Sequence, residues 1–174
     1  MERLLKQIRL VVYGVLLSGC VLQISACSSA PAKKEGSLEL ELLASKKINP
    51  NEKGQASPVS VRIYELKSTD AFAMSDYFTI SEASDPELLT QTQKIYEGMI
   101  KPGEKREMEL TPAPDAVALG VVVAYRDINH ADAIKTWPIK RKDNRPWYIR
   151  WLPEGSTVLQ VGIEPLAITI KEVD

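Results

Sequence analysis

Past residue 37 the chain alternates apolar and polar residues with a period of two, and that period belongs to half-buried strands. Leu38-Glu39-Leu40-Glu41-Leu42 sets three leucines on one face and two carboxylates on the other. Val59-Ser60-Val61-Arg62-Ile63-Tyr64 does the same with β-branched residues. Further strands are expected over residues 93 to 100, 105 to 110, 117 to 125, 134 to 140, 147 to 151, 156 to 164 and 167 to 173. The segment 105 to 110 is charged and reads as an edge. The segment 117 to 125 is almost wholly apolar and reads as a central strand covered on both faces. Lys101-Pro102-Gly103 supplies turn chemistry between two of these runs.

Helical signals are short. Residues 68 to 74 fit two turns with Phe72 facing inward. Asp85-Pro86-Glu87-Leu88-Leu89 places a capping residue, a proline at the first helical position and an early glutamate in order. Seven or eight short strands with one or two small helices predict a mainly β fold, an antiparallel β-sandwich.

The first 26 residues read differently. Arg3, Lys6 and Arg9 form a basic head, an apolar run from Leu10 to Ile24 follows, and small residues lead to a cysteine. That is a secretory signal, and its apolar part falls short of the ~20 residues a membrane-spanning helix needs. A cysteine directly after such a site is the bacterial lipoprotein pattern, in which the new N-terminal cysteine is acylated.

Two cysteines compete for that position. Leu17-Ser18-Gly19-Cys20 fits the favoured motif slightly better than Ile24-Ser25-Ala26-Cys27. Cleavage at Cys20, however, would leave an apolar start to the tether and an unpaired Cys27 thiol in an oxidising compartment. Cys27 is therefore the favoured lipidation site, with Cys20 the alternative. The chain divides into a lipoprotein signal peptide, 1–26, a lipidated cysteine and flexible tether, 27–36, and a periplasmic β-sandwich domain, 37–174. Each buried acyl CH₂ contributes ~0.8 kcal/mol, so a multiply acylated cysteine is a permanent anchor. Neither Ser28 nor Val21, the residues that follow the two cysteines, is an aspartate of the kind that commonly retains such proteins at the inner membrane. The expected address is the outer membrane of a Gram-negative bacterium, with the domain facing the periplasm.

Loss of residues 1 to 26 removes Arg3, Lys6, Arg9 and Glu2, which takes the formal net charge from −1 to −3. No basic surplus remains for nucleic acid. With a single histidine, His130, and no free thiol once Cys27 is acylated, nucleophilic triads have little to draw on. His130 flanked by Asp127 and Asp132 reads as a solvated loop residue, not a metal site. No catalytic residue, metal or cofactor is expected beyond the covalent lipid.

One connection is longer than a tight hairpin requires. Ile48-Asn49-Pro50-Asn51-Glu52-Lys53-Gly54-Gln55-Ala56-Ser57 lies between the first two strands and is closed by Pro58. Two prolines bracket it, which lowers the entropy lost on ordering against a partner. Read from composition alone, it is more simply a solvated connector.

At Val61-Arg62-Ile63-Tyr64-Glu65-Leu66-Lys67 and Leu119-Gly120-Val121-Val122-Val123-Ala124-Tyr125-Arg126-Asp127-Ile128, with Lys101-Pro102-Gly103 between them, the chain resembles the TssJ (SciN) family of type VI secretion lipoproteins. The resemblance covers nearly the whole mature chain. It departs after Asp127, where the family tends to place a tryptophan sooner than Trp137. It implies a transthyretin-like sandwich and a scaffold role. The partner it implies is the periplasmic C-terminal domain of TssM, with TssL completing the membrane complex. It also implies that the loop from Ile48 to Ser57 makes the contact. The rival reading is a peptidoglycan- or carbohydrate-binding lipoprotein that stacks ligand on Trp137, Trp147 and Trp151.

Overall fold

Leu38, Leu40 and Leu42 all enter the interior and are at most 6% exposed, as their spacing requires. The computed structural model describes residues 37–140 and 157–173. Within them the order is β1 (Leu38–Ala44), β2 (Val59–Leu66), three short helices, α1 (Asp70–Met74), α2 (Tyr77–Glu82) and α3 (Pro86–Gln91), then β3 (Thr92–Ile100), β4 (Lys105–Leu110), β5 (Ala118–Val123), β6 (Ile134–Pro138), β7 (Thr157–Ile163) and β8 (Ile168–Val173). The strand expected at residues 147 to 151 lies outside the described residues.

The strands form two four-stranded sheets, β4-β1-β7-β8 and β3-β2-β5-β6. Leucines of β1 and aliphatic residues of β7 meet Val59, Val61 and Ile63 of β2 and Leu119, Val121 and Val123 of β5 in one main core between them. The fold is a β-sandwich, with one departure from the expected antiparallel pattern. β1 and β7 pair in parallel, Leu38 opposite Thr157 through Ala44 opposite Ile163. Periodicity fixes which face of a strand is buried but is silent on the direction of a neighbour more than a hundred residues away.

β5 is buried at all six positions because each of its faces has its own cover. Odd-numbered residues face the opposite sheet. Ala118 and Val122 face a second, smaller core made with Tyr64, Leu66, Phe72, Ile80 and Leu88 under the helices. Gly120 sits directly below Phe72, where an added Cβ would come within 2.6 Å of the ring's Cζ. The helix lies this close only because that position lacks a side chain.

Among the described residues three helices form where one or two were expected. Asp85 caps α3 as its sequence suggests, accepting from the amides of Glu87 (2.8 Å) and Leu88 (3.4 Å). The unexpected helix, α2, is capped by Asp76, which accepts from the Thr79 amide at 2.7 Å. Its signal was present in the spacing of Tyr77 and Ile80 behind an aspartate, but one buried residue in six makes a weak period. As expected, β4 is an edge strand, and its Lys105, Glu107 and Glu109 face solvent. β3, an edge of the other sheet, carries a bulge at Ile95, since Ile63 pairs with Tyr96 and Tyr64 with Lys94.

The connections sort to two ends. Residues 45–58, 101–104, 124–133 and 164–167 gather at one end, where β1, β3, β5 and β7 finish. At the other end the chain enters β1 at Leu38, and Lys140 pairs with Glu172 across the two sheets at 2.5 Å. The helical connection leaves and rejoins the sheet at this second end. Among the described residues no helix is long and apolar enough to cross a membrane.

Candidate interaction site

The loop after β1 is built from two asparagines. Ile48 is fully buried in the main core and Asn49 is 6% exposed, so the loop is rooted inside the sandwich. Asn49 has φ +46°, left-handed backbone that asparagine tolerates better than most residues. Its Nδ2 donates to the Pro58 carbonyl at 2.9 Å, closing the loop upon itself. Its Oδ1 accepts from the Arg126 amide at 2.7 Å, and its own amide donates to the Pro165 carbonyl at 3.1 Å. One side chain and its backbone thereby tie together the β1–β2, β5–β6 and β7–β8 connections.

Asn51 shapes the tip. Its Oδ1 accepts from the amides of Lys53 and Gln55, each at 2.9 Å, and its Nδ2 donates to the Gln55 Oε1 at 3.1 Å. Its backbone amide bonds the Gln55 carbonyl, and the Gly54 amide returns to the Asn51 carbonyl. Gly54 turns the chain at φ +74°, with nothing near a would-be Cβ. The loop's polar groups are largely satisfied within it, so its shape does not depend on a partner.

This divides the ten loop residues singled out in the sequence. Glu52, Lys53, Gly54, Gln55 and Ala56 are exposed, and Pro50, Asn51 and Ser57 are partly covered. Ile48 and Asn49 face inward and hold the tip in place. Sequence reasoning treated all ten as one contact surface and missed the groups that brace it, the Arg126 amide and the Pro165 carbonyl, and with them Tyr125, which holds the turn around Pro165. The Tyr125 hydroxyl lies 2.7 Å from the Ala167 carbonyl and 3.0 Å from that of Glu164. Burial, with the nearby Glu164 and Asp132 carboxylates, raises its pKa, so it stays a protonated donor. No local pattern marks such a tyrosine, because its partners lie about 40 residues away.

The arrangement presents a rigid polar shape. His130 is exposed and, among the described residues, its ring meets Asp127, Nδ1 to Oδ1 at 2.7 Å. Among the described residues no group of three His, Cys, Asp or Glu side chains could hold a metal ion. Trp137 is half-buried on β6 and packs against the main core, so its ring serves packing. Trp147 and Trp151 lie outside the described residues, as do Cys20 and Cys27.

The family model described as "Type VI secretion lipoprotein, VasD, EvfM, TssJ, VC_A0113" matches residues 36–164. The chain belongs to this family. Its matched span runs from the residue before Ser37 through β7 and takes in the loop and Arg126. The lipoprotein TssJ1 of the type VI secretion system of Pseudomonas aeruginosa is similar in structure, with 27% identity and a TM-score of 0.67 over 79% of this chain and 96% of that one. Serratia marcescens Lip, described as a membrane bound component of the type VI secretion system, is 20% identical with a TM-score of 0.66 over 80% and 99% of the two chains. A structure described as the C-terminal domain of the type VI protein TssM from EAEC also matches, at 19% identity and a TM-score of 0.56 over 79% and 98%. At that identity the likeness shows the fold alone. No curated protein matches the sequence. The family is a structural lipoprotein of the secretion apparatus, in keeping with the scaffold reading.

Proposed function

We propose that this chain is anchored by acyl chains on Cys27 in the outer membrane and binds the periplasmic C-terminal domain of TssM through its β1–β2 loop. It thereby fixes the outer end of a trans-envelope complex that TssL completes. The observation that carries the reading is the braced loop, with a buried root at Asn49 and an exposed tip from Glu52 to Ala56. A tip held in one conformation before binding loses little entropy on docking. The contact needs no bond making or breaking, and the lipid is the only non-protein group involved.

Exchanging the tip charges, Glu52→Lys with Lys53→Glu, keeps the net charge and inverts its pattern. Binding of the TssM periplasmic domain is expected to weaken by about tenfold or more, equivalent to about 1.4 kcal/mol. The melting temperature should hold, since both side chains are exposed. Titration of the purified domains by calorimetry checks both, and unchanged affinity would remove the tip from the contact.

Cys27→Ser, with Cys20 intact, is expected to move the protein from the outer-membrane fraction to the soluble periplasm. A variant still acylated by mass spectrometry would transfer the anchor to Cys20.

A further inference from the structure

Six large apolar side chains stand exposed among the described residues: Met74 at 89%, Phe78 at 54%, Leu89 at 56%, Met99 at 56%, Val117 at 49% and Val173 at 43%. All but Met99 belong to the half of the molecule where the chain enters β1. Met74, Phe78 and Leu89 ride on the helices of the connection that leaves β2 and rejoins β3 at that end. Val117 immediately precedes β5, and its amide bonds the Leu66 carbonyl at the end of β2. Val173 pairs with Val158, beside the first turn of the pleat in β1. The opposite end presents the polar loop tip instead.

The helices are fastened from below by Phe72, Ile80 and Leu88 in the second core, so their outer residues cannot simply fold inward. Phe78 is held in an edge-on contact with the ring of Tyr77, centroids 5.4 Å apart. Exposed apolar side chains concentrated on one region of a monomer mark a contact surface. What meets that surface follows from the length of chain ahead of it. Between Cys27 and Leu38 the backbone reaches at most about 40 Å. A lipid-anchored chain therefore keeps this end within reach of the bilayer at high effective concentration, where even a weak contact is occupied.

We propose that the helical side of the sandwich lies against the bilayer that holds its anchor, with Met74, Phe78 and Leu89 meeting the lipid and Val117 at the margin. The domain is then tilted onto its helices, and the β1–β2 loop is turned toward the periplasm. Charge selects the kind of lipid. Residues 68 to 93 contain Asp70, Asp76, Glu82, Asp85 and Glu87 and no lysine or arginine. Such a surface suits zwitterionic headgroups and is repelled by anionic ones. This inference rests on the reading of the chain as a lipid-anchored protein.

The test uses the full lipidated protein in phosphatidylethanolamine–phosphatidylcholine vesicles that contain a spin-labelled lipid as quencher. One reporter fluorophore is placed at Ala73→Cys, exposed beside Met74, and another at Lys53→Cys in the loop tip. The Ala73 reporter should be quenched several-fold more than the Lys53 reporter. The triple variant Met74→Ser, Phe78→Ser, Leu89→Ser should still float with the vesicles and keep its circular dichroism, yet lose that difference. Adding phosphatidylglycerol should reduce it as well.

Protein that floats with the vesicles but shows equal quenching at the two positions would overturn the bilayer contact while leaving the anchor intact. Protein that does not float would overturn the anchor, and this inference with it. Shielding of the Ala73 reporter that grows with protein density but not with quencher would replace lipid by a second copy of the chain.

Discussion

Val122→Asp is expected to lower the stability of the domain by about 4 kcal/mol or more, against a total of about 5–15 kcal/mol for a domain of this size. Val122 is 1% exposed and sits on the helix-facing side of β5, with Phe72, Ile80 and Leu88 above it. Arg62 stands opposite Val122 in the register, but its Nε already pairs with Glu97 at 2.8 Å, so an aspartate there must compete for that cation under helices that exclude water. Either the carboxylate is buried neutral at a cost, or the helices lift away and expose Leu66 and Ala118 with it. Val122→Ala, which removes volume without adding charge, should cost only about 2 kcal/mol. Chemical denaturation of both variants checks the contrast, and equal losses would mean that packing, not desolvation, governs the site.

Asn49→Ala has the second largest expected effect, a loss of about 3 kcal/mol. Two hydrogen bonds vanish, and the Arg126 amide and Pro58 carbonyl lose the partner that Asn49 gives them. Alanine also tolerates the left-handed backbone at φ +46° less well than asparagine. Asn49→Gly relieves the second cost and not the first, so it should be intermediate. Hydrogen exchange at the Arg126 amide reads the local effect directly, and protection should fall in both variants. Under the proposed function the same change should also weaken TssM binding although Asn49 is buried, because the tip loses its brace.

Much of the framework was legible along the chain. The alternation in Leu38 to Leu42 and Val59 to Tyr64 marks strands whose buried faces are those the structure shows. The apolar run around Val121 marks a strand covered twice, and Asp85-Pro86 marks a helix start. What failed to appear there has a common cause. The parallel pairing of β1 with β7, the closeness of Phe72 to Gly120 and the support of the loop by Arg126 and Pro165 all join segments far apart in the chain. A single-residue period carries no information about them. The helix α2 was missed for a different reason, since one buried residue in six turns too few side chains inward to leave a pattern.

The candidate site divides along the same line. Its length, its two bracketing prolines and its asparagines are written in the chain, and so are the two cysteines that compete for the anchor. That Ile48 and Asn49 are the root while Glu52 to Ala56 are the tip is not. Local sequence determines which backbone conformations and buried faces are available, because sterics and hydrophobic periods act over a few residues. Only the tertiary structure decides which of the available polar groups find partners, because a buried hydrogen bond depends on what the rest of the chain brings to it.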